Sequence, residues 1–122
     1  MSGQTYVANA FSIQMLETTE TTKEILLRIK EIDIQTVSEM LKTGPFISAV
    51  GHESTSRLMT RLLGVEVPFN RVPIKLRRGD RLIVFQLLTR LEEGKVLSDE
   101  ELRKIQYKFY EVEIVGAPPQ RG

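Results

Sequence analysis

Three features of the sequence predict an α/β protein of the α+β type, a single mixed β-sheet of about five strands with short helices packed on it. Two separated segments alternate apolar and polar residues with period two, "EILLRIKEI" (24–32) and "YKFYEVEIV" (107–115). A third, "RLIVFQLL" (81–88), is apolar almost throughout, as a strand buried on both faces is. Helix-like runs stand between these segments, and the 122 residues supply one hydrophobic core. We therefore read residues 1–122 as one domain, with an ordered core over about 5–115 and a disordered tail over 116–122.

The elements follow in order. "TYVANAF" has the composition of a short strand, and "AFSIQML" continues into a helical turn. In "EILLRIKEI", Ile25, Leu27 and Ile29 face one way against Arg28 and Lys30, so this strand has one wet face. With "ETTETTK" as the connecting loop, the first two strands suit a hairpin. "TVSEMLK" (36–42) reads as a helix stopped by Gly44 and Pro45. In "HESTSRLMTRLLG" (52–64), Leu58, Met59, Leu62 and Leu63 form a core stripe and Gly64 occupies the C-terminal cap position. "RVPIKL" is extended, with Pro73 restricting it to an edge. "RLIVFQLL" is the central strand, on which Gln86 shares a face with Leu82, Val84 and Leu88. Ser98 and Glu101 form a capping box at the start of "SDEELRKI", and the last alternating strand precedes the tail.

The net charge of +1 conceals an uneven distribution. Residues 71–81 carry Arg71, Lys75, Arg77, Arg78 and Arg81 against Asp80, whereas 92–101 carry Glu92, Glu93, Asp99, Glu100 and Glu101 against Lys95. The basic run suits either a solvated edge or the steering of an anion. Cysteine is absent, which excludes disulfides, thiolate nucleophiles and cysteine zinc sites. No apolar run reaches the length of a membrane span and the start is unlike a secretory signal, so a cytoplasmic location is expected.

The sole histidine, His52, precedes the hydroxyl-rich start of a helix. Such a terminus presents unpaired N–H groups and a partial positive charge, and Ser54, Thr55 and Ser56 add hydroxyls, so a phosphate would be well received and an imidazole could protonate a departing oxygen. On these grounds alone, a histidine that merely begins a helix is the favoured reading. The serine-hydrolase elbow, the phosphate loop and the dinucleotide fingerprint are all missing. A lone histidine without an i+4 partner points to chemistry with neither metal nor cofactor. RNA permits this, because its own 2′-hydroxyl is the nucleophile.

"YVANAFSIQML", "SAVGHEST", "NRVPIKL" and "LLTRLEEGKVLSDEEL" together resemble the small viral anti-CRISPR ring nucleases of type III systems, a family also found in phages, prophages and some bacterial and archaeal genomes. The resemblance runs from Tyr6 to about Val115. It implies a metal-independent homodimer that opens cyclic tetra-adenylate, the RNA second messenger of those systems, to linear di-adenylate and so silences them. By the same resemblance, His52 in "GHEST" is the general acid, Arg90 in "RLEEG" steadies the cleaved phosphate, and Glu93 keeps His52 charged. Asn9, Ser12, Gln86 and Arg71 would hold the ring, with Ser54 and Thr55 contributing at the helix start. Gln14 and the basic turn "KLRRGDR" depart from the family pattern. The expected partners are the ring and a second copy of the chain, with neither membrane nor duplex DNA. The alternative is a dimer that binds cyclic oligoadenylate or other nucleic acid without cutting it.

Overall fold

The expected helices and the strands expected in "TYVANAF", "EILLRIKEI", "RLIVFQLL" and "YKFYEVEIV" are present, the short strand at 47–48 was not expected, and the pairing is only partly as expected. The computed structural model describes residues 3–92 and 94–116. Its strands are β1 (Thr5–Ala8), β2 (Leu26–Ile32), β3 (Ile47–Ser48), β4 (Arg81–Leu87) and β5 (Tyr107–Gly116). Three helices join them, α1 (Ile34–Thr43), α2 (Glu53–Leu63) and α3 (Asp99–Lys104), with a 3₁₀ turn at Ile13–Met15. All five strands form one mixed sheet in the order β2-β5-β4-β1-β3, an α+β fold.

The hairpin expected of the first two strands is not made. Instead β1 is parallel to β3 on one side and to β4 on the other, with Tyr6 opposite both Ile47 and Leu82. β2 lies at the far edge, antiparallel to β5. Alternation fixes which side chains share a face, but it carries no information about which strand lies next door. The apolar "RLIVFQLL" is indeed the middle strand of the five. "RVPIKL" forms no strand and contributes one bridge, Leu16 to Leu76.

One face of the sheet packs against α1 and α2. Val7, Ile83, Phe85 and Phe109 meet Val37, Leu41, Leu58, Met59 and Leu63 there. Phe85 and Phe109 lie 5.2 Å apart between ring centres, a tilted pair that adds to the burial of their area. The outer face is covered more thinly: Leu16, Ile74 and Leu76 pack on Ala8, Leu82, Val84 and Val112. That cover stops short of the β2 edge, so Ile29, expected on the buried face of its strand, is 55% exposed.

The helix boundaries have local causes. α1 begins at Asp33, whose carboxylate accepts from the Thr36 amide at 2.7 Å, a cap that the expected start at Thr36 overlooked. That bond to Thr36 holds the Asp33 carboxyl below its ordinary range. Gly44 closes α1 in extended conformation, whereas Gly64 ends α2 at φ 69°, the left-handed cap that glycine adopts without strain. α3 has the expected capping box of Ser98 and Glu101. Gly116 ends β5, and the remainder of the expected tail, 117–122, lies outside the described residues.

Candidate active site

Because β1, β3 and β4 run parallel, their C-terminal ends open on one side of the sheet, where open sheets of this type bind ligands. Asn9 follows β1 and Gln86 is near the end of β4. Gly51 and His52 follow β3 and lead into α2. The topology thus brings together residues more than 70 positions apart.

His52 is the N-cap of α2. Its backbone is extended, with φ −130° and ψ 126°, its carbonyl accepts the first helical bond from Ser56, and its side chain makes no capping bond. The imidazole is exposed and lines a hollow with Glu53, Ser54, Arg57 and Gly94. Asn9 is tied directly to this turn, since the Gly51 amide donates to its Oδ1 at 3.3 Å. Arg71 lies over the same turn: a Cβ on Gly51 would be 3.5 Å from the Arg71 Cγ and 3.7 Å from its Nε. Thr55, on the first turn of α2, joins Asn9 and Gln86 in a groove of about 590 Å³ that crosses the end of β4.

The three hydroxyls at the helix start do different work. Ser54 faces the His52 hollow and Thr55 the groove. Ser56, expected to be a further donor to a ligand, is buried, and its hydroxyl donates to the Val67 carbonyl at 2.6 Å. It ties α2 to the chain that returns from it.

The loop after β4 carries the other expected residues. Arg90 is exposed and lines a separate hollow with Thr89, Leu91, Glu92, Lys95 and Glu101, so it does not share the His52 hollow. Gly94 is where this loop reaches the histidine. Glu93 lies outside the described residues. Ser12 is exposed at the start of the 3₁₀ turn and lines neither the His52 hollow nor the groove.

Two tethers hold the loop. The Arg61 guanidinium donates to the Leu97 carbonyl at 2.6 Å and to Asp99 at 3.2 Å, joining α2 to the loop's return. Lys95 pairs with Glu101 at 2.6 Å. That bond, with the Ser98 backbone and side chain, lowers the Glu101 carboxyl to about 2, and the same contact raises Lys95.

Arg57 belongs beside His52 and was not expected there. Its Nη2 bonds Glu53 Oε1 at 2.5 Å across one helical turn, and the pair flanks the imidazole. The Glu53–Arg57 spacing was visible in the sequence as an i,i+4 ion pair, but nothing in it indicated a role at the histidine. Phe11, Ile29 and Tyr110 also line the groove, and Tyr110 is brought there by the β4–β5 register rather than by any motif. Among the described residues, no three His, Asp or Glu side chains are grouped to hold a metal ion. No helix among them is long and apolar enough to cross a membrane.

The sequence profile of the family described as STIV B116-like matches residues 5–109. Protein 26 of Sulfolobus islandicus filamentous virus is 46% identical over 94 residues, which cover 76% of this chain and 80% of the relative. The ORF116 protein of Acidianus filamentous virus 1 is 33% identical over 100 residues, covering 82% of this chain and 83% of the relative. A bacterial relative, YddF of Bacillus subtilis, is 31% identical over 85 residues, covering 68% of this chain and 79% of its own. Among solved structures, B116 of Sulfolobus turreted icosahedral virus superposes with a TM-score of 0.76 at 37% identity, covering 91% of this chain and 99% of B116. Sequence and architecture agree from β1 into β5, and the chain belongs to the STIV B116-like family, which is represented in viruses of Sulfolobus and Acidianus.

Proposed function

We propose that this protein is a metal-independent ring nuclease that opens cyclic tetra-adenylate and so acts as a viral anti-CRISPR against type III signalling in the host cytoplasm. The observation that carries the reading is the meeting of Asn9, His52, Ser54, Thr55 and Gln86 at one end of the sheet, with the His52 imidazole exposed and committed to no capping bond. The positive start of α2 attracts a phosphate, and Arg71 adds a full charge against the same turn.

The reaction needs no outside nucleophile. A ribose 2′-oxygen attacks the adjacent phosphorus and its proton leaves to water, the bond from phosphorus to the 5′-oxygen breaks, and His52 protonates that oxygen. The first product end is a 2′,3′-cyclic phosphate, and two such cuts give linear di-adenylate. Arg90 on the loop after β4 steadies the charge on the phosphate, and Glu93 on the same loop assists His52. A ring of four nucleotides has twofold symmetry, so a homodimer brings one His52 to each of two opposite phosphates. Exposed Ile13 and Leu26 supply apolar surface that a second copy would cover.

Incubation of the purified protein with radiolabelled cyclic tetra-adenylate in EDTA tests this directly. Linear di-adenylate is the expected product, and sedimentation is expected to show a dimer. Ring left intact by excess protein over a long incubation overturns the assignment, and if the ring nonetheless binds, the protein sequesters it. Tighter binding to duplex DNA than to the ring in competition would identify a nucleic-acid-binding protein instead.

A further inference from the structure

Among the described residues, Arg57 is the one cation that lines the hollow of His52. The hollow holds about 280 Å³, and Glu53, Ser54 and Gly94 complete its lining. That is just under the roughly 300–1,000 Å³ of pockets that enclose a whole small ligand, so it admits one phosphodiester link of a ring rather than the ring. Arg90, by contrast, lines the hollow between its loop and α3. Arg61 is bonded to Leu97 and Asp99, and Lys95 to Glu101, so both are spent on holding the loop.

Helix geometry explains how Arg57 serves the start of α2. Side chains on a helix lean toward its N-terminus, so Arg57 lies over the turn that begins at Glu53. Its Nη2 donates to Glu53 Oε1 at 2.5 Å, one turn back. Helix stability does not account for this placement. A cation reaching back toward the positive end of α2 opposes the helix dipole, and an ion pair with 58% and 64% of its side chains exposed stabilises little. A phosphate at the same end reverses the balance, because the free amides and the guanidinium then share its negative charge. The guanidinium has N–H donors to spare for it: the bond to Glu53 uses one, and Arg57 has no second partner among the described residues. The carboxylate thus fixes the fork in place and leaves its other arm open.

We infer that Arg57 is a further catalytic residue: held over the first turn of α2 by Glu53, its guanidinium contacts the phosphate on which His52 acts and offsets the charge that builds on the non-bridging oxygens as the 2′-oxygen attacks. The inference rests on the proposed ring cleavage. It adds a cation on the helix itself, beside the imidazole, and Arg57 stands outside the four motifs that carry the family resemblance.

Single-turnover cleavage of radiolabelled cyclic tetra-adenylate by Arg57→Ala provides the test, with affinity for the ring measured by calorimetry in the His52→Ala background. The rate is expected to fall about 10²-fold, the lower end of the loss when one donor to a developing oxyanion is removed. Affinity for the ring should change less than the rate does, because the contact strengthens as charge develops. Arg57→Lys should keep part of the rate, and added guanidinium ion should restore part of it to Arg57→Ala, which a structural defect would not allow. The double variant Glu53→Gln with Arg57→Ala should remain slow. Recovery of the wild-type rate by that double variant would show that Arg57 only neutralises Glu53, and it overturns the assignment. So does a wild-type rate for Arg57→Ala, or a slow variant that neither lysine nor guanidinium ion restores. Ring left intact by the wild-type protein would overturn the cleavage proposal and this assignment together; cleavage that depends on His52 and is indifferent to Arg57 would overturn this assignment alone.

Discussion

The two ends of the sheet treat their polar side chains in opposite ways. Among the described residues at the end where β1, β3 and β4 finish, His52 makes no capping bond, Gln86 has no hydrogen-bond partner, and Arg71 lies against Gly51 with no ion-pair partner. At the other end the charges are consumed by the fold. Asp80 accepts from the amides of Gln4 and Arg77, both at 2.9 Å, and closes the turn before β4. Arg77 pairs with Glu17, while Arg81 at 3.0 Å and Lys30 at 3.4 Å converge on Glu111, whose side chain is only 7% exposed. The pairing with Glu17 holds the Arg77 guanidinium above its ordinary value. The basic stretch 71–81 is therefore not one patch: Arg71 belongs to the open end, and Arg77 and Arg81 are structural. Exposed polar side chains that the fold leaves uncommitted are the ones a ligand can engage, which makes the difference between the ends a functional signal.

The largest expected effect lies at the open end. His52→Ala should cut ring cleavage by about 10²–10⁴-fold, the loss typical of removing a general acid. Because the imidazole makes no capping bond and is exposed, stability should change by less than about 0.5 kcal/mol. Single-turnover kinetics beside urea denaturation would check both. A variant that unfolds readily, or one that still cleaves at full rate, breaks the contrast.

Glu111→Gln should do the reverse. Removing a nearly buried carboxylate that two cations share costs stability, and since Lys30 and Arg81 are each about half exposed and regain water, the loss should be about 1–3 kcal/mol. Cleavage per folded molecule should stay at the wild-type rate, because Glu111 lines neither the His52 hollow nor the groove. Unchanged denaturation would show that the paired end contributes nothing, and a slowed rate would show that the two ends are coupled.

The contrast was half legible in the sequence. Strand identity was readable because alternation in 24–32 and 107–115 and the apolar run at 81–88 report burial directly, and the Gly64 and Ser98 caps follow from local backbone chemistry. Neighbour relations were not. β1 offers only "TYVA", and its place between β4 and β3 depends on contacts with residues some 40 and 76 positions away. The two-residue β3 carries no period at all. At the site, His52 stood out as the sole imidazole, and Asn9, Thr55 and Gln86 do line one groove with Tyr110, whereas Arg90 lines another hollow. Arg57 and Tyr110 escaped notice because a charge on a helix and an aromatic on a strand are ordinary until the fold places them.

The smallest expected effect concerns the loop between the ends. Glu101 has a carboxyl lowered to about 2, first by Lys95 and then by Ser98. A lowered value means that its contribution is complete above the ordinary 4.5 and is lost as pH falls toward 2. Over that window the capping box of α3 and the tether to Lys95 should loosen together, while the core keeps its protection. Amide hydrogen exchange across 95–102, compared with Phe85 and Phe109 in the core, would show it, and Glu101→Gln should reproduce the loosened loop at neutral pH. The loop carries Arg90 and reaches His52 at Gly94, so the same variant should slow ring cleavage by no more than a few-fold, far less than loss of the imidazole, because the Arg61 bonds to Leu97 and Asp99 still hold the loop to α2. A Glu101→Gln variant with unaltered exchange would mean that Arg61 alone fixes the loop, and that what holds Gly94 beside the histidine comes from α2 rather than from α3.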